Sequence, residues 1–181
     1  MTFLRLNNTV IPTKDFIEHL QKRARCKRHY RRGAPGRTFV ALDESIVLRE
    51  LKNMLPWEEV CAFMKTHKCT DNIFCVSAQW LHANSAHSQK CHQDHAHGYG
   101  LYFTVVFTID GSKVDTMIEN EGMYEPAACN ILVYDTFHPH FGQAGENNSK
   151  VFVGFSDPGF EKYNRIAKEH LHARKKFYSR I

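Results

Sequence analysis

From Leu101 to Ile109 the chain alternates in character. Tyr102, Thr104 and Thr108 are polar, and Phe103, Val105, Phe107 and Ile109 are apolar. Successive side chains on a strand point to opposite faces, so this pattern predicts a strand with one polar and one apolar side. Asp110-Gly111-Ser112 supplies a turn directly after it. Ile73–Leu81, Val114–Ile118, Asn130–Tyr134 and Lys150–Phe155 read as further strands. Short strands separated by turn signals predict an antiparallel sandwich or jelly roll.

The first third reads as mainly helical. Thr13 can cap a helix through Asp15, Phe16, Ile17 and Leu20 that runs on into a basic stretch, with Gly33-Ala34-Pro35-Gly36 ending it. Ile46, Val47, Leu48, Leu51 and Leu55 recur at helical spacing, predicting a helix over 42–55. Pro56 opens a third helix from Trp57 to about His67. The tail from Pro158 returns to helix. The expected organisation is one domain over residues 1–181. It has a mainly helical part at 1–70, a strand-rich core at 73–157 and a helix at 158–181.

The 181 residues suffice for one core, and 43% hydrophobic residues with 13 Phe exclude a disordered chain. No apolar run reaches membrane-spanning length, so no membrane partner is expected. The first eight residues lack the pattern of a secretory signal, so an intracellular location, cytoplasmic or nuclear, is expected. None of the six cysteines forms a CxxC pair, which argues against a zinc finger and for free thiols. The net charge of +5 is concentrated. Lys22 to Arg37 holds eight Lys or Arg and no acid, a stretch that would attract an anionic partner. Nucleic acid is not the favoured one, because no aromatic-interleaved basic motif accompanies it.

The chemistry-bearing motif is His92-Gln93-Asp94, just before the alternating strand. Residues two apart on a strand share a side, so His92 and Asp94 can bind one metal. A distant histidine would complete a 2-His-1-carboxylate triad with open positions, the set that suits non-haem Fe(II). Asp135-Thr136-Phe137-His138-Pro139-His140 follows an apolar strand and offers two histidines. His138 and His140 share parity, so alternation alone leaves both open.

HxD, a distal histidine and a cation about ten residues later resemble the Fe(II)/2-oxoglutarate-dependent dioxygenases. Here these are His92, Asp94, His140 and Lys150. The resemblance covers roughly residues 73 to 157. It implies an α+β fold whose core is a double-stranded β-helix, or jelly roll, with N-terminal helices and a C-terminal helix packed outside. It implies a metal site of His92, Asp94 and His140, the spacing favouring His140 over His138. It also implies 2-oxoglutarate held by Lys150, with Tyr102, Thr104 and Thr108 adding hydrogen bonds and Ser149 nearby. Many family members use Arg where this chain has Lys150, which replaces a two-pronged grip with a point charge. The cofactors implied are Fe(II), 2-oxoglutarate and O2, with ascorbate as a stimulant. The implied activity is hydroxylation or oxidative demethylation of a substrate C–H bond, releasing succinate and carbon dioxide.

Two other classes compete. One is a non-catalytic jelly-roll module that binds nucleic acid or another anion. The other is a zinc hydrolase with an HxHxDH motif, which is weakened by Lys90 standing where its first histidine should be.

Overall fold

The Thr13 hydroxyl accepts from the Phe16 N–H at 3.2 Å and so starts helix α1 (Lys14–Ala24). The same hydroxyl donates to Glu50 Oε2 at 2.6 Å, tying α1 to helix α2 (Glu44–Met54). Asp43 caps α2, accepting from the N–H groups of Ser45 and Ile46. Helix α3 (Trp57–Thr66) follows, its first hydrogen bonds running to the Pro56 carbonyl. The computed structural model describes residues 3–26, 28, 30–32, 37–66, 74–83, 87–88, 90–93, 103–136, 138–144 and 148–156.

Eleven strands are formed among the described residues. They are β1 (Phe3–Leu6), β2 (Tyr30–Arg32), β3 (Arg37–Ala41), β4 (Phe74–Ala83), β5 (His87–Ser88), β6 (Phe103–Phe107), β7 (Thr116–Asn120), β8 (Met123–Pro126), β9 (Ile131–Asp135), β10 (His140–Ala144) and β11 (Asn148–Ser156). One sheet has the order β1-β9-β6-β11-β4-β3-β2 and the other β5-β10-β7-β8. Every pairing is antiparallel.

Two cores share the larger sheet. On one face Phe103, Val105, Phe107, Ile131, Val133, Val151, Val153 and Phe155 pack against Phe16, Leu20, Val47, Leu51, Val60 and Met64 from the three helices. The Phe16–Phe107 and Phe63–Phe103 ring contacts belong to this layer. On the other face Val106, Leu132 and Tyr134 pack with Val114, Ile118, Ala127 and Cys129, which lie in and beside the smaller sheet. Strands β6 and β9 are therefore buried on both sides, and the polar positions of β6 face protein rather than water.

The first third departs from the sequence reading. Helix α1 ends at Ala24, and the basic stretch beyond it contributes strand β2. Strands β1, β2 and β3 extend the larger sheet at its two edges. The predicted turn after β6 is present: Gly111 takes a φ of 79°, and the Ser112 N–H donates to Asp110 Oδ1 at 3.0 Å. A second turn joins β7 to β8 through Glu121 and Gly122, both at positive φ, the arrangement of a type I′ hairpin. The expected helix beyond Pro158 lies outside the described residues. No described helix is long and apolar enough to cross a membrane. Cys26, Cys61, Cys75, Cys91 and Cys129 are free thiols.

Candidate metal centre

Strand β10 begins at His140, and an isolated antiparallel bridge joins that residue to His92. The His92 N–H donates to the His140 carbonyl at 2.9 Å, and the His140 N–H to the His92 carbonyl at 3.1 Å. This reciprocal pair of hydrogen bonds brings together two side chains 48 residues apart in sequence. Their ring centroids are 4.5 Å apart.

The tautomers follow from the hydrogen bonds. His92 Nδ1 donates to the Lys90 carbonyl at 2.9 Å, and His140 Nδ1 to the His138 carbonyl at 2.8 Å. A ring that donates through Nδ1 carries its lone pair on Nε2, and a backbone carbonyl on the other nitrogen is how metal-binding histidines are oriented. Tyr134 stands beside the pair, its hydroxyl 3.3 Å from His140 Nε2.

His138 is built differently. Its Nε2 lies 2.5 Å from the Glu119 carbonyl, and its ring packs on Phe3 at 5.2 Å. One ring nitrogen is thus held by a backbone carbonyl in His138 as in His140, and what sets His140 apart is its backbone bridge to His92. Asp94 and Tyr102 lie outside the described residues, and among the described residues no three metal-binding side chains gather.

Lys150 points between the sheets. It alternates with Val151 and Val153, which face the helices, and shares parity with Phe152, which packs on the inter-sheet core. The side chain is wholly buried and ion-paired with Asp115. Burial first, and then the positive charge of Arg37, lower its pKa to about 7, and the Asp115 carboxylate opposes that shift. Arg37 itself is buried, and its Nη2 donates to the Gly142 carbonyl at 3.0 Å, two residues along β10 from His140. Burial lowers its pKa also. The sequence reading counted Arg37 as the end of a basic arm, but the structure turns it inward from β3.

The threonines divide. Thr104 pairs with Tyr134 on β9 and Gly154 on β11, and its Oγ1 is buried with no hydrogen-bond partner among the described residues. Thr108 donates instead to the Ser112 carbonyl at 2.5 Å, so its hydroxyl closes the turn after β6. Ser149 faces away from Lys150 and accepts from Trp80 Nε1 at 2.7 Å; Trp80 itself packs at the edge of the helix-side core. Thr116 Oγ1 and Asp115 Oδ2 are likewise buried without partners among the described residues. Buried polar atoms are normally satisfied, so three such atoms on one inter-sheet surface suit a polar ligand. With two suitably oriented imidazoles beside them, these residues fit a metal ion and a polar co-substrate.

Arg37, Asp115 and Tyr134 escaped the sequence reading. Tyr134 left a trace, as the one polar tip on the apolar run Ile131–Tyr134. Arg37 left one too, in alternation with Phe39 after a glycine-rich break.

No family model and no curated protein matches the sequence. Solved structures do match by fold. An oxidoreductase of the 2OG-Fe(II) oxygenase family from Burkholderia pseudomallei superimposes with a TM-score of 0.57 at 14% identity, over 86% of this chain and 84% of that one. A prolyl-4-hydroxylase from Pseudomonas putida gives 0.57 at 11% identity, over 87% and 94%. SnoN, a non-haem α-ketoglutarate-dependent epimerase from nogalamycin biosynthesis, gives 0.58 at 12% identity, over 90% and 83%. The chain has the fold of the 2OG-Fe(II) oxygenases: two antiparallel sheets with helices against the larger one.

Proposed function

We propose that this protein is a non-haem Fe(II)- and 2-oxoglutarate-dependent oxygenase that hydroxylates or oxidatively demethylates a substrate C–H bond. The observation that carries the reading is the His92–His140 pair, bridged through the backbone with Nδ1 of each ring held by a carbonyl. Asp94, two residues from His92, is the third ligand of the proposed set. Iron there would supply oxygen activation, coupled to conversion of 2-oxoglutarate to succinate and carbon dioxide.

The chain's own residues divide the remaining work. Lys150 anchors the distal carboxylate of the co-substrate, and Thr104 Oγ1 donates a hydrogen bond from the neighbouring strand. Tyr134 braces His140. Arg37 fixes the strand that carries His140 by its bond to the Gly142 carbonyl. The proposed substrate is anionic, drawn by a stretch in which Lys22, Arg25 and Arg28 are exposed. The proposed core is a single double-stranded β-helix.

Anaerobic addition of Fe(II) and 2-oxoglutarate is expected to give the weak visible charge-transfer band of a chelated complex. Folded protein that binds Fe(II) but shows no band would overturn the reading.

A further inference from the structure

Lys150 has no exposed side-chain surface, and Asp115 already meets it through Oδ1. The ammonium expected to receive the co-substrate's distal carboxylate is thus engaged by a carboxylate of the chain itself. The two partners differ in freedom. Lys150 sits inside β11, whose backbone pairs with β4 on one side and β6 on the other. Asp115 lies outside the strands, between the single Val114–Cys129 bridge and the start of β7, with a quarter of its side chain exposed.

The pair is also incompletely satisfied. Asp115 Oδ2 is buried with no hydrogen-bond partner among the described residues. A buried acceptor without a donor carries a desolvation cost that rotation into water removes. An ammonium has three donors, but two carboxylates crowded on one buried cation repel each other. When a second carboxylate arrives, the one that can reach solvent is the one that leaves.

We propose that Asp115 is an internal stand-in for the distal carboxylate of the co-substrate, and that its displacement from Lys150 sets the affinity for that dicarboxylate. The proposal rests on the oxygenase reading for the identity of the ligand, though not for the exchange at Lys150. It makes Asp115 an affinity-determining residue, with a sign opposite to that of a residue that merely builds the pocket. Removing its charge should tighten binding.

The test is titration calorimetry on the wild type, D115N and K150M/D115N with two probes. One is 2-oxoglutarate, anaerobically and with Mn(II) in place of Fe(II). The other is glutarate without metal, which keeps both carboxylates and lacks the keto oxygen needed for chelation. D115N is expected to bind both probes at least tenfold more tightly than the wild type. K150M/D115N is expected to lose glutarate binding and most 2-oxoglutarate affinity. Equal or weaker glutarate binding by D115N overturns the inference. If D115N gains glutarate affinity while Mn(II) gives 2-oxoglutarate no advantage in any variant, the exchange stands and the oxygenase reading fails. Circular dichroism checks each fold, and D115S serves if D115N does not fold.

Discussion

A wholly buried lysine should cost this protein stability, and the cost should be visible in its pH dependence. The Lys150 pKa falls from its ordinary 10.5 to about 7, chiefly through burial. The folded pKa is then below the unfolded one. Between these values the unfolded chain holds the proton and the folded chain does not, so stability rises with pH across that window. The cost is largest below about pH 7 and is gone above the unfolded value. At about 1.4 kcal/mol for each pH unit, the full separation is worth about 5 kcal/mol. Contact with Asp115 favours the charged ammonium, so this figure is a ceiling.

The perturbation is K150M/D115N, which removes both members of the pair and leaves no orphaned charge. Replacing a buried ion pair with well-packed apolar groups is commonly neutral or stabilising by about 1–4 kcal/mol, and here methionine is apolar while asparagine is uncharged, which places the variant toward the neutral end. The variant is therefore expected to equal or exceed the wild type in stability at about pH 7. From there to about pH 8.5 the wild type should gain up to about 2 kcal/mol that the variant does not. With a urea slope of about 2 kcal/mol per molar, this is a shift in midpoint difference of about 1 M. The thiols of half-buried Cys61 and buried Cys129, whose pKa values desolvation raises, are common to both proteins and cancel in the comparison. Parallel urea midpoints at the two pH values would refute the reasoning. A large loss of stability in the variant at both would show the pair to be a structural element rather than a binding one.

The two candidate histidines should separate cleanly. His140→Ala is expected to abolish Mn(II) binding measured by electron paramagnetic resonance. His138→Ala should retain it and lose about 1–2 kcal/mol of stability with the bond to the Glu119 carbonyl; the reverse pattern would exchange their roles. Thr13→Ala removes both the cap of α1 and the hydrogen bond to Glu50, and should lower stability by about 1–2 kcal/mol in urea unfolding. An unchanged midpoint would show that the α1–α2 tie contributes nothing.

What was legible in the sequence followed from periodicity and end signals. Thr13 placed α1, and the recurrence of Val47, Leu51 and their neighbours placed α2. The alternation along Lys150–Phe155 put Lys150 on the face opposite Val151 and Val153. Elements that carry no period of their own were not legible. Strand β8 is short and largely exposed, and its hairpin turns through Glu121-Gly122 rather than through the asparagine or aspartate that usually marks a type I′ turn. Strand β2 was hidden by its basic character, because a run of arginines reads as solvated whether or not its backbone joins a sheet edge.

The candidate site divides along the same physical line. His92 and His140 could be named from spacing because each sits at a fixed offset from a strand. Their meeting is a backbone event, two hydrogen bonds across one bridge, and backbone pairing is what strand patterning anticipates. Arg37 and Asp115 act through long-range placement instead. One reaches from β3 to the carbonyl of Gly142 on the opposite sheet, and the other meets a lysine 35 residues away. Nothing local distinguishes them from surface charges. A buried charge is recognised by what surrounds it, and the surroundings exist only once the two sheets have closed. The same closure turns Lys150 from one of many cations into a wholly buried one with a pKa lowered to about 7. A site of this kind is half written in the order of the strands and half created by packing them together. Residues of the second half, Asp115 above all, are where co-substrate affinity should be tunable without touching the metal ligands.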